Sequence, residues 1–482
     1  MGARTGDQFL ASLRDGRELW LDGERVTDPT AHPSLAGAAH LLAEIFDLQH
    51  AHAAACLVPD PETGEPINAS HKIPRSRADL ERRRVCLERI AERTVGVMGR
   101  TPDYMNVTFA GFAGRADEWG AFGNESGAEN LVRFQQELRR RDIALTHTII
   151  HPTIDKSLPD VVAGGGEVVL HEVESTAHGI VVRGARILAT LAPFANELAV
   201  YPGHPLPAGP GGEKYALAFS IPCATPGLRF LCRDSTTRGQ NRFDHPFSSR
   251  FDEQDAFVIF DDVEIPRERL FIDGNVDVYN QVLSTGWYPN VMQQTMIRAQ
   301  TKLEFAYGLA CRMCELIGDK SPATCELLGE LYGYAELTRA ALRTAEAEAF
   351  EWGNGVWFPN GQPLAQLRHF MPTWMPRVNE ILRLIGSHNL LATPTESQLK
   401  DAELGPLLAK YLQGAAGASA ETRVRVFRLA WDFAASALGS RGEQYERFYL
   451  ASGARNRVLA HLFSAKERSR KLVDRFLEEK SD

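Results

Sequence analysis

An arginine and a tyrosine lie four residues apart in the stretch GRTPDYMN, which runs from Gly99 to Asn106. The sequence predicts that Gly99 ends one helix, that Thr101 caps the next, and that Pro102 takes its first position, where a missing N–H costs nothing. The positive end of that helix dipole favours an oxyanion near Arg100. Arg100 can therefore bind an anionic oxygen, or it can form a salt bridge with Asp103 or cap the preceding helix. The residues alone leave these alternatives open.

Familiar catalytic and nucleotide-binding motifs are missing from the sequence. There is no G-x-G-x-x-G after a predicted strand, no P-loop, no G-x-S-x-G and no H-E-x-x-H. Cys311 and Cys314 form a C-x-x-C with Cys325 nearby, but they lie in an apolar helical pattern where cysteine is a small core residue, and no histidine or second C-x-x-C accompanies them. The sequence therefore does not indicate hydrolysis, phosphoryl transfer or a metal held by the protein.

Three blocks of different periodicity follow one another along the chain. Residues 1–144 read as helical, with Ser76 and Ser126 as expected helix starts. Residues 145–275 are rich in β-branched residues, and the stretch from VVLHEVEST to ILATLA predicts a hairpin. Residues 276–482 return to long amphipathic helices. We predict an α+β fold, mostly α, with a helical domain, a central β domain and a C-terminal helical bundle, and a ligand held between the domains.

Composition narrows the class of protein. The 482 residues are 44% hydrophobic and 24% charged, with a net charge of -9, which is typical of a globular protein of two or three domains. The acidic balance disfavours nucleic acid and anionic membrane surfaces, and no apolar run is long enough to span a bilayer. Seven scattered cysteines and an N-terminus without an apolar leader predict a reducing, cytoplasmic location.

Six stretches together resemble one family, the oxygenase components of two-component flavin-dependent phenol monooxygenases typified by 4-hydroxyphenylacetate 3-monooxygenase. They cover the chain in the right order: GRTPDY (99–104), LTHTIIHPTIDK (145–156), GIVVRGARILAT (179–190), FDHPFSSR (243–250), IFDDVEIPRERLF (259–271) and SALGSRGEQYERFY (436–449). The resemblance implies an acyl-CoA dehydrogenase-like fold, diffusible FADH2 from a separate NAD(P)H:flavin reductase, molecular oxygen and a homotetramer. It also implies hydroxylation of a phenol ortho to its OH through a flavin hydroperoxide.

The resemblance also assigns site residues. It implies that Arg100, Tyr104 and His147 surround the phenol oxygen, where a guanidinium favours phenolate. Gly203 and His204 fall where a contact with the substrate's tail is expected. His147 is implied for the flavin as well, together with Thr153, Ile154, Asp155, Lys156, Thr190, Ser436, Ala437, Leu438 and Gly439.

Several alternatives stay open at this point. The residue types at Gly203 and His204 do not identify the tail, so the substrate can be 4-hydroxyphenylacetate, a chlorophenol, or a free or carrier-tethered tyrosine derivative. An acyl-CoA dehydrogenase needs a carboxylate base that we cannot assign. A 4-hydroxybutyryl-CoA dehydratase needs cluster ligands, but residues 99–106 and 287–302 contain no cysteine or histidine. A non-catalytic flavin scaffold would not need Arg100, Tyr104 and His147. For the C-terminal block, residues 421–439 have enough apolar surface to predict association.

Overall fold

A computed structural model describes residues 2–207, 211–237, 241–284 and 287–478. The order of helices, β structure and helices that the sequence predicts is confirmed. The N-terminal part holds seven helices and two small strand pairs. Their bounds are α1 (Gly6–Ser12), β1 (Glu18–Leu21), β2 (Glu24–Val26), α2 (Ala36–Ala51), α3 (Ala53–Cys56), β3 (Leu57–Pro59), β4 (Pro66–Asn68), α4 (Arg77–Arg93), α5 (Pro102–Gly114), α6 (Ala116–Trp119) and α7 (Glu125–Arg141).

The predicted helix starts agree with the structure at two of three places. Ser76 caps α4 by accepting a hydrogen bond from the backbone N–H of Asp79. Pro102 is the first residue of α5, although the Thr101 side chain makes no capping hydrogen bond. The predicted start at Ser126 is wrong, because α7 already begins at Glu125. The side-chain amide of the preceding Asn124 donates to the carbonyl oxygens of Trp119 and Phe271 and so ties this corner to the β domain.

The central part folds into two sheets. Their strands are β5 (Leu145–Thr148), β6 (His171–Ser175), β7 (Gly179–Thr190), β8 (Glu197–Val200), β9 (Leu217–Pro222), β10 (Leu228–Cys232), β11 (Asp255–Pro266) and β12 (Leu270–Asp273). One sheet has the order β2-β1-β10-β11-β7-β6 and the other β12-β9-β8-β5. The predicted hairpin is the antiparallel pair β6–β7. The N-terminal block is less purely helical than expected, since β1 pairs in parallel with β10 and extends the first sheet.

The two sheets meet along β5 and β7. The hydroxyl groups of Thr146 and Thr148 donate to the carbonyl oxygens of Thr190 and Ile187, at 2.7 and 2.9 Å. Side chains alternate between the two faces of a strand. Because Thr146 and Thr148 face β7, His147 points to the opposite face of β5, toward α5.

The C-terminal part is a helical bundle with one short strand pair. Its elements are α8 (Val276–Gln281), α9 (Trp287–Ile317), α10 (Pro322–Ala347), β13 (Phe350–Glu351), β14 (Trp357–Phe358), α11 (Gly361–Leu391), α12 (Glu396–Lys400), α13 (Leu404–Tyr411), α14 (Ala420–Ala434), α15 (Ala437–Phe448), α16 (Gly453–Leu462) and α17 (Glu467–Glu478). Cys311 and Cys314 lie within α9, as their apolar surroundings predicted.

Helix α9 connects the bundle with the N-terminal helices. It packs against α4 and α5 as well as against α10 and α11. The Asn290 amide donates to the carbonyl oxygen of Val107 at 2.8 Å, and the Gln294 amide donates to the Asp103 carboxylate at 2.9 Å. These contacts fix α5, and with it Arg100 and Tyr104, against the bundle.

No described helix is long and apolar enough to cross a membrane.

Candidate active site

The backbone at Arg100 is anchored to the β domain. Its N–H donates to a Glu253 carboxylate oxygen at 2.6 Å. Arg441 of α15 binds the other Glu253 oxygen at 2.9 Å and pairs with Asp255 at 2.7 Å. One short segment at the start of β11 therefore holds both the turn that carries Arg100 and a helix of the C-terminal bundle.

The side chain of Arg100 lies between aromatic rings. Its guanidinium carbon is 3.9 Å from the ring centre of Tyr104 and 4.4 Å from that of Tyr449. Its Nη1 atom is buried and has no hydrogen-bond partner among the described residues. An unpaired buried cation is costly, so the arrangement favours an anionic ligand.

The proposed salt bridge between Arg100 and Asp103 does not form. One Asp103 oxygen accepts a hydrogen bond from Gln294, and the other is buried with no partner among the described residues. Burial raises the pKa of Asp103 to about 6, although the nearby Thr101 hydroxyl and the Gln294 amide favour the carboxylate. The salt-bridge alternative for Arg100 is therefore wrong, and its Nη1 is left without a hydrogen-bond partner among the described residues.

Three rings line the site beside Arg100. The ring of His147 stacks between those of Tyr104 and Tyr201, with centres 5.6 and 5.4 Å away. Burial, with a smaller contribution from the Arg100 charge, lowers the pKa of His147 well below its ordinary value, so its imidazole is neutral. The Tyr201 hydroxyl is buried with no partner in the described part of the chain. A neutral imidazole, a guanidinium and phenol hydroxyls together can bind a phenolic oxygen and exchange its proton.

Helix α15 and the residue that follows it supply two further tyrosines that sequence reasoning missed. The rings of Tyr445 and Tyr449 stack with centres 4.9 Å apart, and the Tyr449 hydroxyl donates to Thr295 at 2.9 Å. A β-carbon at Gly99 would lie 2.3 Å from the Tyr445 hydroxyl oxygen, so this turn requires glycine. The signal was present, because Tyr445 and Tyr449 lie four apart in the stretch 436–449, but only the start of that stretch was assigned a role.

The residues implied for the flavin lie in three places. Thr153, Ile154, Asp155 and Lys156 are exposed on the loop after β5. Thr190 is buried at the end of β7, where its hydroxyl donates to Asp255 at 2.8 Å. Ser436 caps α15 by accepting from the Gly439 N–H, with exposed Ala437 and buried Leu438 between them. Thr190 and α15 are brought together through Asp255 and Arg441, whereas no hydrogen bond or ion pair joins the loop 153–156 to them among the described residues.

These places fit a flat group with apolar faces and polar edges. The loop after β5 exposes Ile154, Leu158 and Val162, each by about half of its surface. Next to Thr190, both the amide nitrogen and the oxygen of the Gln254 side chain are buried without a partner within the described residues. The isoalloxazine of FAD has such faces and edges, so the residues present are compatible with it. No cluster of three or more metal-ligating side chains occurs in the described ranges.

The residues implied for the substrate's tail follow β8. Gly203 packs closely on β5, since a β-carbon there would lie 2.7 Å from the Ile149 carbonyl oxygen. His204 has an exposed side chain that is still partly shielded by its surroundings. This partial burial, followed by the charge of Arg455, lowers the pKa of His204. Because Tyr201 stacks on His147, the segment 201–204 connects the aromatic rings with this surface.

Comparison with known proteins identifies relatives over nearly the whole length. Residues 5–272 match the family model for the N-terminal part of 4-hydroxyphenylacetate 3-hydroxylase, and residues 278–478 match that for its C-terminal part. A 4-hydroxyphenylacetate 3-monooxygenase oxygenase component from Thermus thermophilus is 39% identical over 480 residues, with 99% of this chain and 98% of the relative covered. A 4-nitrophenol 2-monooxygenase oxygenase component from Rhodococcus is 32% identical over 459 residues, covering 92% and 85%.

Solved structures agree with these relatives. The oxygenase component of 4-hydroxyphenylacetate 3-monooxygenase in complex with FAD and 4-hydroxyphenylacetate superposes with a TM-score of 0.93 at 38% identity, covering 99% of this chain and 98% of that one. An archaeal 4-hydroxybutyryl-CoA dehydratase has a TM-score of 0.90 at 18% identity, which shows a shared fold and nothing further. Fold, site and relatives define the oxygenase component of a two-component, flavin-dependent aromatic monooxygenase. The chain belongs to the 4-hydroxyphenylacetate 3-hydroxylase family.

Proposed function

We propose that this enzyme hydroxylates a small phenolic substrate at the carbon ortho to its hydroxyl group, and that Arg100, Tyr104 and His147 hold the phenol oxygen. The observation that carries the proposal is the buried, unpartnered Nη1 of Arg100 beside Tyr104 and neutral His147. The phenolic substrates named for the relatives support the same reading.

Arg100 activates the substrate by its charge. A free phenol has a pKa near 10, and a guanidinium within hydrogen-bond distance favours the phenolate. Neutral His147 has an imidazole nitrogen that can accept a hydrogen bond from the phenol hydroxyl, and Tyr104 can donate a hydrogen bond to the phenol oxygen. The phenolate donates electron density to its ortho carbon, which makes this carbon the nucleophile. The rings of Tyr104, His147 and Tyr201 exclude water from the oxygen and keep the Arg100 charge effective.

The residues that would hold FAD are Thr153 to Lys156, Thr190, His147 and Ser436 to Gly439. When bound as FADH2, the cofactor supplies two electrons to molecular oxygen, one atom of which enters the ring while the other leaves as water. Thr190, fixed by Asp255, and the start of α15 present polar groups to a ring edge. We infer that His147, which the family resemblance implies for both ligands, lies at the boundary between the phenol and the flavin.

We propose a homotetramer and a cytoplasmic location. The sequence predicts an exposed apolar surface at 421–439, but Val424, Phe427 and Phe433 of this segment are buried in the structure. Exposed apolar residues instead concentrate toward the C-terminus, with Leu472, Val473, Phe476 and Leu477 on α17 exposed by 56% to 75%. Such a surface supports association with other copies.

Seven free cysteines are compatible with a reducing compartment.

Turnover with supplied flavin tests the function. The purified chain is mixed with FAD, NADH and an unrelated flavin reductase in air, and a panel of para-substituted phenols is added, including a carrier-tethered tyrosine. We expect catechol formation from a free phenol, measured by chromatography. Controls omit the reductase or the oxygenase. If every phenol yields only hydrogen peroxide and no catechol, the proposed function is wrong.

A further inference from the structure

Aromatic rings, and no carboxylate among the described residues, hold the guanidinium group of Arg100. Its carbon lies 3.9 Å from the ring centre of Tyr104 and 4.4 Å from that of Tyr449. The neighbouring Glu253 carboxylate binds the backbone N–H of Arg100 and the guanidinium of Arg441 instead. The face of an aromatic ring attracts a cation through its quadrupole and does not neutralise it. The Arg100 charge is therefore supported on one side chain's ring and another's, and stays unpaired.

A second arginine on the same ring shows the contrast. The guanidinium carbon of Arg298 lies 5.1 Å from the ring centre of Tyr449. Glu446 pairs with Arg298 at 2.5 Å and with Lys302 at 2.9 Å. The charge of Arg298 is thus balanced inside the protein, whereas that of Arg100 is left for a ligand. An ion pair at Arg100 would compete with a phenolate for the guanidinium, and a ring does not.

The ring of Tyr449 is itself fixed by its neighbours. Its hydroxyl group donates to the Thr295 hydroxyl oxygen of α9 at 2.9 Å. The ring stacks with that of Tyr445, with centres 4.9 Å apart and planes inclined by 27°. The Tyr445 ring in turn lies 4.5 Å from the guanidinium carbon of Arg441, which is bound to β11. Contacts with α9 and α15 therefore set where Tyr449 meets Arg100.

We propose that Tyr449 is a positioning residue, whose ring holds the Arg100 guanidinium at the phenol oxygen by a cation–π contact that leaves the arginine's charge unpaired. The inference rests on the proposed function and adds to it a residue outside the set of Arg100, Tyr104 and His147. Tyr449 acts through Arg100. Loss of its ring should therefore reduce oxygen transfer to the phenol more than oxygen consumption.

The first test separates the ring of Tyr449 from its hydroxyl group. Wild type, Tyr449→Phe, Tyr449→Leu and Tyr307→Leu are compared with a phenol that wild type hydroxylates, and catechol is measured against hydrogen peroxide. Tyr307 is the matched control, because it is a half-buried tyrosine whose ring contacts that of Tyr332 and lies about 18 Å along α9 from Thr295. We expect Tyr449→Leu to lower the hydroxylation rate about tenfold, as for a weakened charged hydrogen bond. Tyr449→Phe and Tyr307→Leu should couple like wild type.

The second test measures phenolate stabilisation without flavin or turnover. The probe is 4-nitrophenol, because its phenolate is coloured and its ionisation on the protein can be followed by absorbance as pH is varied. A nearby cation favours the phenolate, so we expect the bound phenol to ionise at lower pH than the free one. Tyr449→Leu should raise this midpoint by about one pH unit, which is a tenfold change in the ionisation constant. Tyr449→Phe should restore the wild-type midpoint, which a purely structural role would not predict.

Fluorinated phenylalanines at position 449 keep the shape of the ring and decide the matter if Tyr449→Leu does not fold. Each added fluorine withdraws electron density from the ring face and so weakens its attraction for a cation. We expect coupling to fall stepwise with the number of fluorines. A packing role for the ring predicts no such series.

Each contrary outcome has its own meaning. Wild-type coupling and an unchanged nitrophenol midpoint in Tyr449→Leu, or no effect of fluorination, would show that the ring does not position Arg100. A loss in Tyr449→Phe as large as that in Tyr449→Leu would assign the effect to the hydrogen bond with Thr295 and overturn the cation–π role. Failure of wild type to hydroxylate any phenol contradicts the proposed function instead, and the nitrophenol titration distinguishes that failure because it needs no turnover.

Discussion

At the scale of single residues, Arg100 is the group on which we propose that the chemistry depends. Its side chain rests on the rings of Tyr104 and Tyr449 and forms no ion pair with Asp103. The cation is therefore available to stabilise a phenolate. Because activation of oxygen and transfer of oxygen to the ring are separate tasks, loss of Arg100 should damage the second far more than the first.

We expect Arg100→Ala to consume oxygen but to release hydrogen peroxide in place of catechol. A lost charged hydrogen bond is worth about 1.5–3 kcal/mol, or on the order of ten- to hundred-fold in hydroxylation rate. His147→Ala should uncouple similarly, and Tyr104→Phe less, since it removes one neutral hydrogen bond. Chromatography of catechol against peroxide measures the coupling. Arg89→Ala is the control, because Arg89 is exposed and pairs with Glu92. Wild-type coupling in Arg100→Ala would contradict the role of Arg100.

Asp103 predicts an unusual dependence of stability on pH. Burial raises its pKa to about 6 from 3.8. A raised carboxyl pKa means that the folded state binds the proton more tightly, so the stability that is fully present below about pH 4 is lost as pH rises from about 4 to about 6, and the loss stays constant at higher pH. We expect Asp103→Asn to stabilise the protein at pH 7.5 by up to about 3 kcal/mol and to have little effect at pH 4. Urea unfolding at both pH values measures the difference, and an equal effect at both would rule out this explanation.

At the scale of elements, α15 is the part of the bundle that completes the site. It brings Tyr445, and Tyr449 directly after it, to Arg100. It is held by Arg441, whose side chain is 13% exposed and binds Glu253 and Asp255. Glu253 also accepts the N–H of Arg100, and Asp255 accepts the hydroxyl of Thr190. The ion pairs of Arg441 with Glu253 and Asp255 therefore connect α15 with the turn at Arg100 and with the end of β7.

We expect Arg441→Gln to destabilise the protein by about 3 kcal/mol, because it leaves the buried Glu253 carboxylate without its cation and leaves Asp255 with Arg233 alone. Arg447→Gln is the matched control on the same helix. Arg447 is 46% exposed and pairs with Glu443 one turn away, so its loss should cost less than about 0.5 kcal/mol. Denaturant unfolding compares the two, and hydroxylation should fall only in Arg441→Gln. Equal effects would show that the link between α15 and β11 does not hold the site.

At the scale of the whole molecule, the apolar face of α17 predicts self-association. Leu472, Val473, Phe476 and Leu477 lie along one side of this helix and are exposed. We expect the double substitution Leu472→Glu and Phe476→Glu to lower the mass measured by light scattering at micromolar concentration. Lys471→Glu, on the opposite side of the helix, should leave it unchanged. A wild-type monomer, or an unaltered mass in the double variant, would contradict association through α17.

The sequence by itself determined the local features of this protein. Periodicity and turn residues fixed the helix–β–helix order, the start of α5 at Pro102 and the β6–β7 hairpin, because these depend on residues only a few positions apart. The alternation of β5 put His147 opposite Thr146 and Thr148. The six matching stretches indicated the family, although the residue types left open whether Arg100 was structural.

Only the tertiary structure decided which distant residues share an environment. Arg100 meets Tyr449 and Glu253, Asp103 meets Gln294, and β1 joins β10, across separations of some 150 to more than 300 residues. In the sequence, Arg186 belongs to a predicted strand and has no unusual feature. Only the folded structure shows that it is buried and that its Nε and Nη2 have no hydrogen-bond partner among the described residues. The burial of a side chain and the charges near it depend on every element around it, whereas secondary-structure propensity depends on residues nearby in the chain. The pairing and pKa shifts of these groups therefore could not be predicted from the sequence.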